Sequence, residues 1–154
     1  MARQRVLVPY NFTIHDQKAI DFIIRTFLAV KEIKFTLFHA YAPLPEIQTG
    51  SNAVLGRLQG TMMSLSEELR GQERYLKEGR EALLKKGFSD DQVDYIFKAR
   101  EKDVANEIAE TALKGGYQMI LLNRNPTKIT RLFGRSVSGK LLATLRNTTI
   151  CIVN

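Results

Sequence analysis

The stretch GRSVSGKL, from Gly134 to Leu141, reads G-x-x-x-x-G-K and so raises phosphate chemistry. A P-loop wraps phosphates in backbone N–H groups, reaches the outer phosphates with its Lys, and holds magnesium through a Ser or Thr after that Lys. Here Leu141 follows Lys140, so the magnesium ligand is missing. The nearest preceding strand ends near Asn123, and Lys140 falls within the predicted last helix. The stretch is therefore not a P-loop. A simpler anion chemistry is open to it. The last helix begins at Arg135 or Ser136, and the first N–H groups of a helix are unpaired at its positive end. Ser136 and Ser138 add hydroxyl donors. The plain alternative is that Ser136 only caps the helix.

Charge draws attention to the same region. The chain carries a net charge of +7. Residues 1–110 hold equal numbers of basic and acidic side chains. Residues 111–154 hold Lys114, Arg124, Lys128, Arg131, Arg135, Lys140 and Arg146 with no Asp or Glu. This is either a solvated basic face or an anion site. Nucleic-acid binding is disfavoured, because the segment has no interleaved aromatic beyond Phe133 and no reader motif.

No catalytic constellation emerges, and the reading is of a protein that is not an enzyme, a weak ATPase being the remaining catalytic option. His15 and His39 lie apart from any Cys or carboxylate cluster at metal spacing. Both read as structural. Asp90, Asp91 and Asp94 read as a solvated turn, and Cys151 as a small hydrophobe in a strand. Ser136 has no nucleophile-elbow context. Met62 and Met63 read as helix packing.

The elements that must position these residues alternate. Arg5–Pro9 is a short strand ended by Pro9 and Asn11. From about His15 to Lys31, Ile20, Ile23, Ile24, Phe27 and Leu28 fall on one helical face. Lys34–Ala40 is a second strand. Pro43, Pro45, Gly50, Gly56 and Gly60 mark a long loop. A helix follows with Met62, Leu65, Leu69, Leu76 and Leu83 on one stripe, stopped by Gly87. Val93–Lys98 alternates weakly as a third strand. Asp103 caps a helix closed by Gly115-Gly116. Tyr117–Asn123 is apolar on both faces, as buried parallel strands are. Val137, Leu141 and Leu145 then mark the last helix, and Thr149–Val153 the last strand. This β-α alternation implies a parallel sheet with helices on both faces. Ligands of such sheets bind beyond the carboxyl ends of the strands, at the switch point.

At 154 residues the chain suits a single domain, 1–154, able to bury roughly two-thirds of its unfolded surface. It has no stretch of the ~18 apolar residues a membrane span needs. With a single cysteine and no signal-peptide pattern, the expectation is a cytoplasmic protein that does not contact membrane.

Several segments together resemble the universal stress proteins. Arg5-Val-Leu-Val-Pro-Tyr-Asn-Phe-Thr is similar to their first strand and turn, and Leu37-Phe-His-Ala-Tyr-Ala-Pro43 to their second strand. Asp103-Val-Ala-Asn-Glu-Ile through Gly116-Tyr-Gln-Met-Ile-Leu-Leu resembles their third helix and fourth strand. Ser136-Val-Ser138 with Lys140-Leu, and Thr149–Val153, resemble their last helix and strand. The resemblance implies a flavodoxin-like five-stranded parallel sheet, strand order 3-2-1-4-5, paired into a homodimer through the C-terminal strand. It implies a stress-response binding module that takes ATP or AMP, or a nucleotide-free form acting through protein partners. Carried over residue by residue, the adenine side falls on Pro9, Tyr10, Asn11 and Ala40. The phosphate side falls on Leu122, Asn123, Arg124, Pro126, Gly134, Arg135, Ser136, Val137 and Ser138.

The chain departs from the family's G-x2-G-x9-G-[ST] pattern. Asn123 and Pro126 fall where its first two glycines stand. Either Arg135 replaces the third with a spacer one residue short, or Gly134 is that glycine and Arg135 an insertion. Asn11 stands for a frequent Asp, and Arg100 for a frequent Gly. Pro126 removes an N–H donor, so a backbone-amide cradle is weakened. Arg124, Lys128, Arg131 and Arg135 can substitute, since guanidinium binds phosphate oxygens in bidentate fashion.

Overall fold

The computed structural model describes residues 3–44, 52–124 and 137–154, with side chains described from Gly56 onward in the second helix. The elements run β1 (Gln4–Pro9), α1 (Asp16–Phe27), β2 (Ile33–Tyr41), α2 (Asn52–Lys86), β3 (Val93–Ala99), α3 (Val104–Lys114), β4 (Met119–Asn123), α4 (Val137–Thr144) and β5 (Thr149–Val153). The strands form one parallel sheet in the order β3-β2-β1-β4-β5. This is the expected fold and strand order.

Strand alternation sorts the core into two layers. Val6, Val8, Phe35 and Leu37 face α1 and α2, where Ile20, Ile23, Leu76 and Leu83 meet them. Leu7, Phe38, Ile120 and Leu122 face α3 and α4, where Ile108, Ala112 and Leu141 meet them. The strands read as apolar on both faces because both faces are covered. Full burial of a leucine such as Leu76 or Leu83 contributes about 2 kcal/mol.

Strand ends shift by one or two residues, with β4 beginning at Met119 rather than Tyr117, and two helix boundaries differ more. Helix α1 stops at Phe27 rather than near Lys31. The link to β2 is a turn closed by the Val30 N–H to the Phe27 carbonyl, and the Gln92 amide donates to the carbonyls of Val30 and Ile33 beyond it. Helix α2 begins at Asn52, so Gly56 and Gly60 are helical rather than part of a loop. Nothing lies within 4 Å of a Cβ built at either glycine. Each costs the helix about 1 kcal/mol relative to Ala, and the 35-residue helix, anchored by Leu76 and Leu83, absorbs it. Gly87, at φ 119°, ends α2 in a conformation that suits glycine. Among the described residues, no helix is long and apolar enough to cross a membrane.

The strand order reverses between β1 and β4. Their ladder pairs Val6 with Met119 and Leu7 with Ile120 and then ends. On either side the ladders run on, to Pro9 opposite Phe38 and to Asn123 opposite Val153. The β1–β4 ladder thus stops short of its neighbours at the switch point, the place where sheets of this kind form their ligand crevice.

Candidate functional site

The crevice is bridged by polar side chains from three elements. Asp16 opens α1 and is 1% exposed. Its carboxylate accepts from the backbone N–H groups of Asn11 and Thr13, both at 3.2 Å. It also accepts from the Asn123 amide at 2.6 Å. Asn11 Nδ2 in turn donates to Asn123 Oδ1 at 3.0 Å, and Thr13 Oγ1 donates to Asn11 Oδ1 at 2.8 Å. The β1–α1 turn and the end of β4 are therefore tied across the opening. Burial pushes the Asp16 carboxyl above its ordinary value, and the N–H donors from Asn11, Asn123 and Thr13 oppose the shift. A carboxylate at a helix N-terminus is favoured by the macrodipole, and here it also orders the preceding turn.

Beside the tie lies a run of aromatic rings. Phe12 sits in the turn with φ 58°, a left-handed conformation that costs a non-glycine residue about 1–2 kcal/mol. Its ring lies 4.3 Å from His39, 5.7 Å from Tyr75 and 6.4 Å from Tyr10, centroid to centroid. His39 continues to Phe97 at 6.1 Å, and Phe97 to Tyr41 at 4.6 Å. The rings come from the β1–α1 turn, β2, β3 and α2. His39 and Phe97 are register partners, so one face of the sheet presents them side by side. His39 Nδ1 lies 2.8 Å from the Tyr10 carbonyl and donates to it, leaving Nε2 as the acceptor. Burial lowers the His39 pKa and so favours the neutral ring. Burial and the Asp16 charge raise Tyr10 and Tyr75. Helix α2 comes close at Gly79, where any Cβ would overlap the Tyr10 hydroxyl.

The structure brings Pro9, Tyr10, Asn11, Leu122 and Asn123 to the two sides of the crevice, with Tyr10 and Leu122 buried. Ala40, 4% exposed, belongs to the layer under α3 and α4, so its side chain faces away from the aromatic run. The Arg124 backbone N–H donates to Val153 and extends the β4–β5 pairing. Val137 and Ser138 open α4. Pro126, Gly134, Arg135 and Ser136, with Lys128 and Arg131, lie outside the described residues. Lys140 is on α4 and pairs at 3.2 Å with Asp103, the cap of α3. It thus serves helix packing, in line with the rejection of a P-loop. Asp90, Asp91 and Asp94 are exposed and paired with Arg80, Arg3 and Lys34. Cys151 is part-buried in β5. Among the described residues, no three His, Cys, Asp or Glu side chains gather as metal ligands.

Sequence reasoning passed over Asp16, Phe12, Tyr75 and Phe97. The alternation His39–Tyr41 and Tyr95–Phe97 in adjacent parallel strands was the available signal for the rings. Asp16 carried only the signal of an acidic first turn.

The family model described as the universal stress protein family matches residues 2–151. The chain belongs to the universal stress protein family. Solved universal stress proteins share its fold. One from Burkholderia pseudomallei has a TM-score of 0.63 at 12% identity, covering 97% of this chain and 95% of that one. One from Archaeoglobus fulgidus, in complex with dAMP, has a TM-score of 0.65 at 11% identity over 100% of both chains. Another, in complex with cAMP, has a TM-score of 0.62 at 17% identity, covering 100% of this chain and 98% of that one. No curated protein matches the sequence. The Asn123 side chain at the end of β4 joins the Asp16 tie.

Proposed function

We propose that this universal stress protein is a cytoplasmic stress-response module that binds an adenine nucleotide, ATP or AMP, in the crevice between β1 and β4. The observation that carries the reading is the early end of the β1–β4 ladder, after Leu7, at the switch point of a parallel sheet. The dAMP and cAMP complexes of proteins with this fold support it. Asn11 and Asn123 offer amides at the mouth, and the basic segment that follows β4 supplies charge for phosphate. The role is binding rather than catalysis. Titration calorimetry with ATP, ADP and AMP, with mass spectrometry of small molecules released from the purified protein, tests the reading. Saturable binding or a co-purified adenine nucleotide near one per chain is expected. No heat and no thermal stabilisation at millimolar ligand would refute it.

A second reading is a nucleotide-free homodimer that acts through protein partners. It is favoured by β5, an edge strand whose Ile150, Cys151, Ile152 and Val153 all remain partly exposed. Apolar edges of this kind need covering. Sedimentation at micromolar concentration should give a dimer, and a charge placed in β5, Ile152→Lys, should give monomer. A wild-type monomer would overturn this reading.

A further inference from the structure

We propose that a groove between α1 and the end of β5 is a second anion site, which takes a small multivalent oxyanion, a polyphosphate or a polycarboxylate. The groove has a volume of about 540 Å³ and is lined by Lys18, Asp21, Ile24 and Arg25 of α1, Lys86 of α2 and Val153 of β5. Small-molecule sites span ~300–1,000 Å³. The groove is distinct from the switch-point crevice and from the start of α4. Helix α1 covers one face of the sheet and α4 the other. From Lys18 to Arg25 the groove follows α1 for about 10 Å, leading away from the Asp16 tie at the start of that helix. The nucleotide reading uses other residues, so the two sites stand or fall independently.

The charge of the lining points to an anion. Positions 18, 21 and 25 recur on one face of a helix, and Lys86 in the last turn of α2 adds a third cation. The one carboxylate among these side chains is already engaged, since Asp21 Oδ1 accepts from Gln17 Nε2 at 2.9 Å. Arg25 Nε donates to the Asp21 carbonyl at 3.4 Å. That bond steadies the guanidinium and leaves its two Nη groups for a ligand. Among the described residues, Lys18, Arg25 and Lys86 make no ion pair. The β5 side brings no compensating charge, because residues 111–154 hold no Asp or Glu. Cations gathered without counter-charges raise the local concentration of anions. A guanidinium can hold two oxygens of one oxyanion, and lysines meet further oxygens as point charges. An ion of single charge would leave most of the groove uncompensated, so a multivalent one fits. Ile24 and Val153, both partly buried, give it an apolar floor.

The experiment titrates sodium tripolyphosphate and citrate, by calorimetry and by amide NMR, into three proteins. They are the wild type, the groove variant Lys18→Gln/Arg25→Gln/Lys86→Gln, and a control with the same charge change elsewhere, Arg70→Gln/Arg74→Gln/Arg146→Gln. The control positions are all exposed, and circular dichroism checks each fold. At least one of the two anions should bind wild type saturably and move the amide resonances of Ile24, Arg25 and Val153. The groove variant should bind it about tenfold more weakly, and the control within about twofold of wild type. Added salt should weaken the binding. Tighter binding of tripolyphosphate would assign the ligand as a phosphate, and tighter binding of citrate as a carboxylate.

No saturable binding of either anion at millimolar concentration would overturn the site. Equal weakening in the groove variant and the control would overturn it too, by reducing the effect to net charge. Resonance changes confined to the basic residues after β4 would place the anion there instead of in the groove.

Discussion

Asp16 and Glu107 occupy matching places, each in the first turn of a helix that follows a strand and its turn. Both are buried, at 1% and 2% exposure. Both accept two backbone N–H groups from the preceding turn, Asp16 from Asn11 and Thr13, Glu107 from Glu101 and Lys102. They titrate in opposite directions. Glu107 pairs with Lys98 at 2.9 Å, and that cation holds its carboxyl below the ordinary range. Asp16 has only the Asn123 amide in the corresponding role, and burial pushes it up. The comparison shows that one architectural device serves two ends. Beside a cation it is a fixed staple. With dipoles alone it ties the β1–α1 turn to the end of β4 while burial raises its carboxyl.

Removing the staple should have the largest effect. Glu107→Ala strands the Glu101 and Lys102 N–H groups and should cost about 3 kcal/mol in urea denaturation. A loss no greater than that of an exposed Glu→Ala control would remove Glu107 from the comparison.

The next contrast is in pH. The folded chain binds the Asp16 proton more tightly than the unfolded chain. The Asp16 contribution to stability is therefore greatest at low pH, and it is lost as pH rises from about 3.9 through the raised folded value. Glu107 runs the other way. Its contribution is present above about 4.3 and is lost as pH falls through the depressed folded value. The stability difference between wild type and Asp16→Asn should fall with rising pH, and that for Glu107→Gln should rise. Slopes of the same sign would break the comparison.

The smallest expected effect is the most diagnostic. Lys98→Met should cost only about 1 kcal/mol, because the lysine is half exposed. It should make Glu107 titrate upward, as Asp16 does, in carboxyl NMR. A Glu107 that still titrates low would assign its shift to the backbone N–H groups alone.

Much of the fold was legible in the chain. Val6-Leu7-Val8 and Ile120-Leu121-Leu122 show apolar character on both faces, and Asp103 and Gly116 mark the ends of α3 as capping chemistry predicts. Gly56 and Gly60 misled because local propensity says nothing of the distant Leu76 and Leu83 contacts that anchor the same helix. The candidate site was legible only in outline. Asn11 and Asn123 stood out as departures from a pattern, but their hydrogen bond spans 112 residues of sequence. No local signal foretells such a bond. The left-handed Phe12 was illegible for a related reason, since the rings it meets come from β2 and α2.

The short ladder between β1 and β4 also has a kinetic meaning. It leaves a β3-β2-β1 part and a β4-β5 part joined by the Val6–Met119 and Leu7–Ile120 pairs, the bonds between Arg5 and Gln118 and the asparagine tie. Separately opening units of this kind appear in native-state hydrogen exchange as distinct classes of amide. The amides of β4 and β5 should exchange as one group, ahead of those shared by β1 and β2. A ligand spanning the crevice would slow that group selectively, so that occupancy of the site would be recorded as a change in how the sheet breathes.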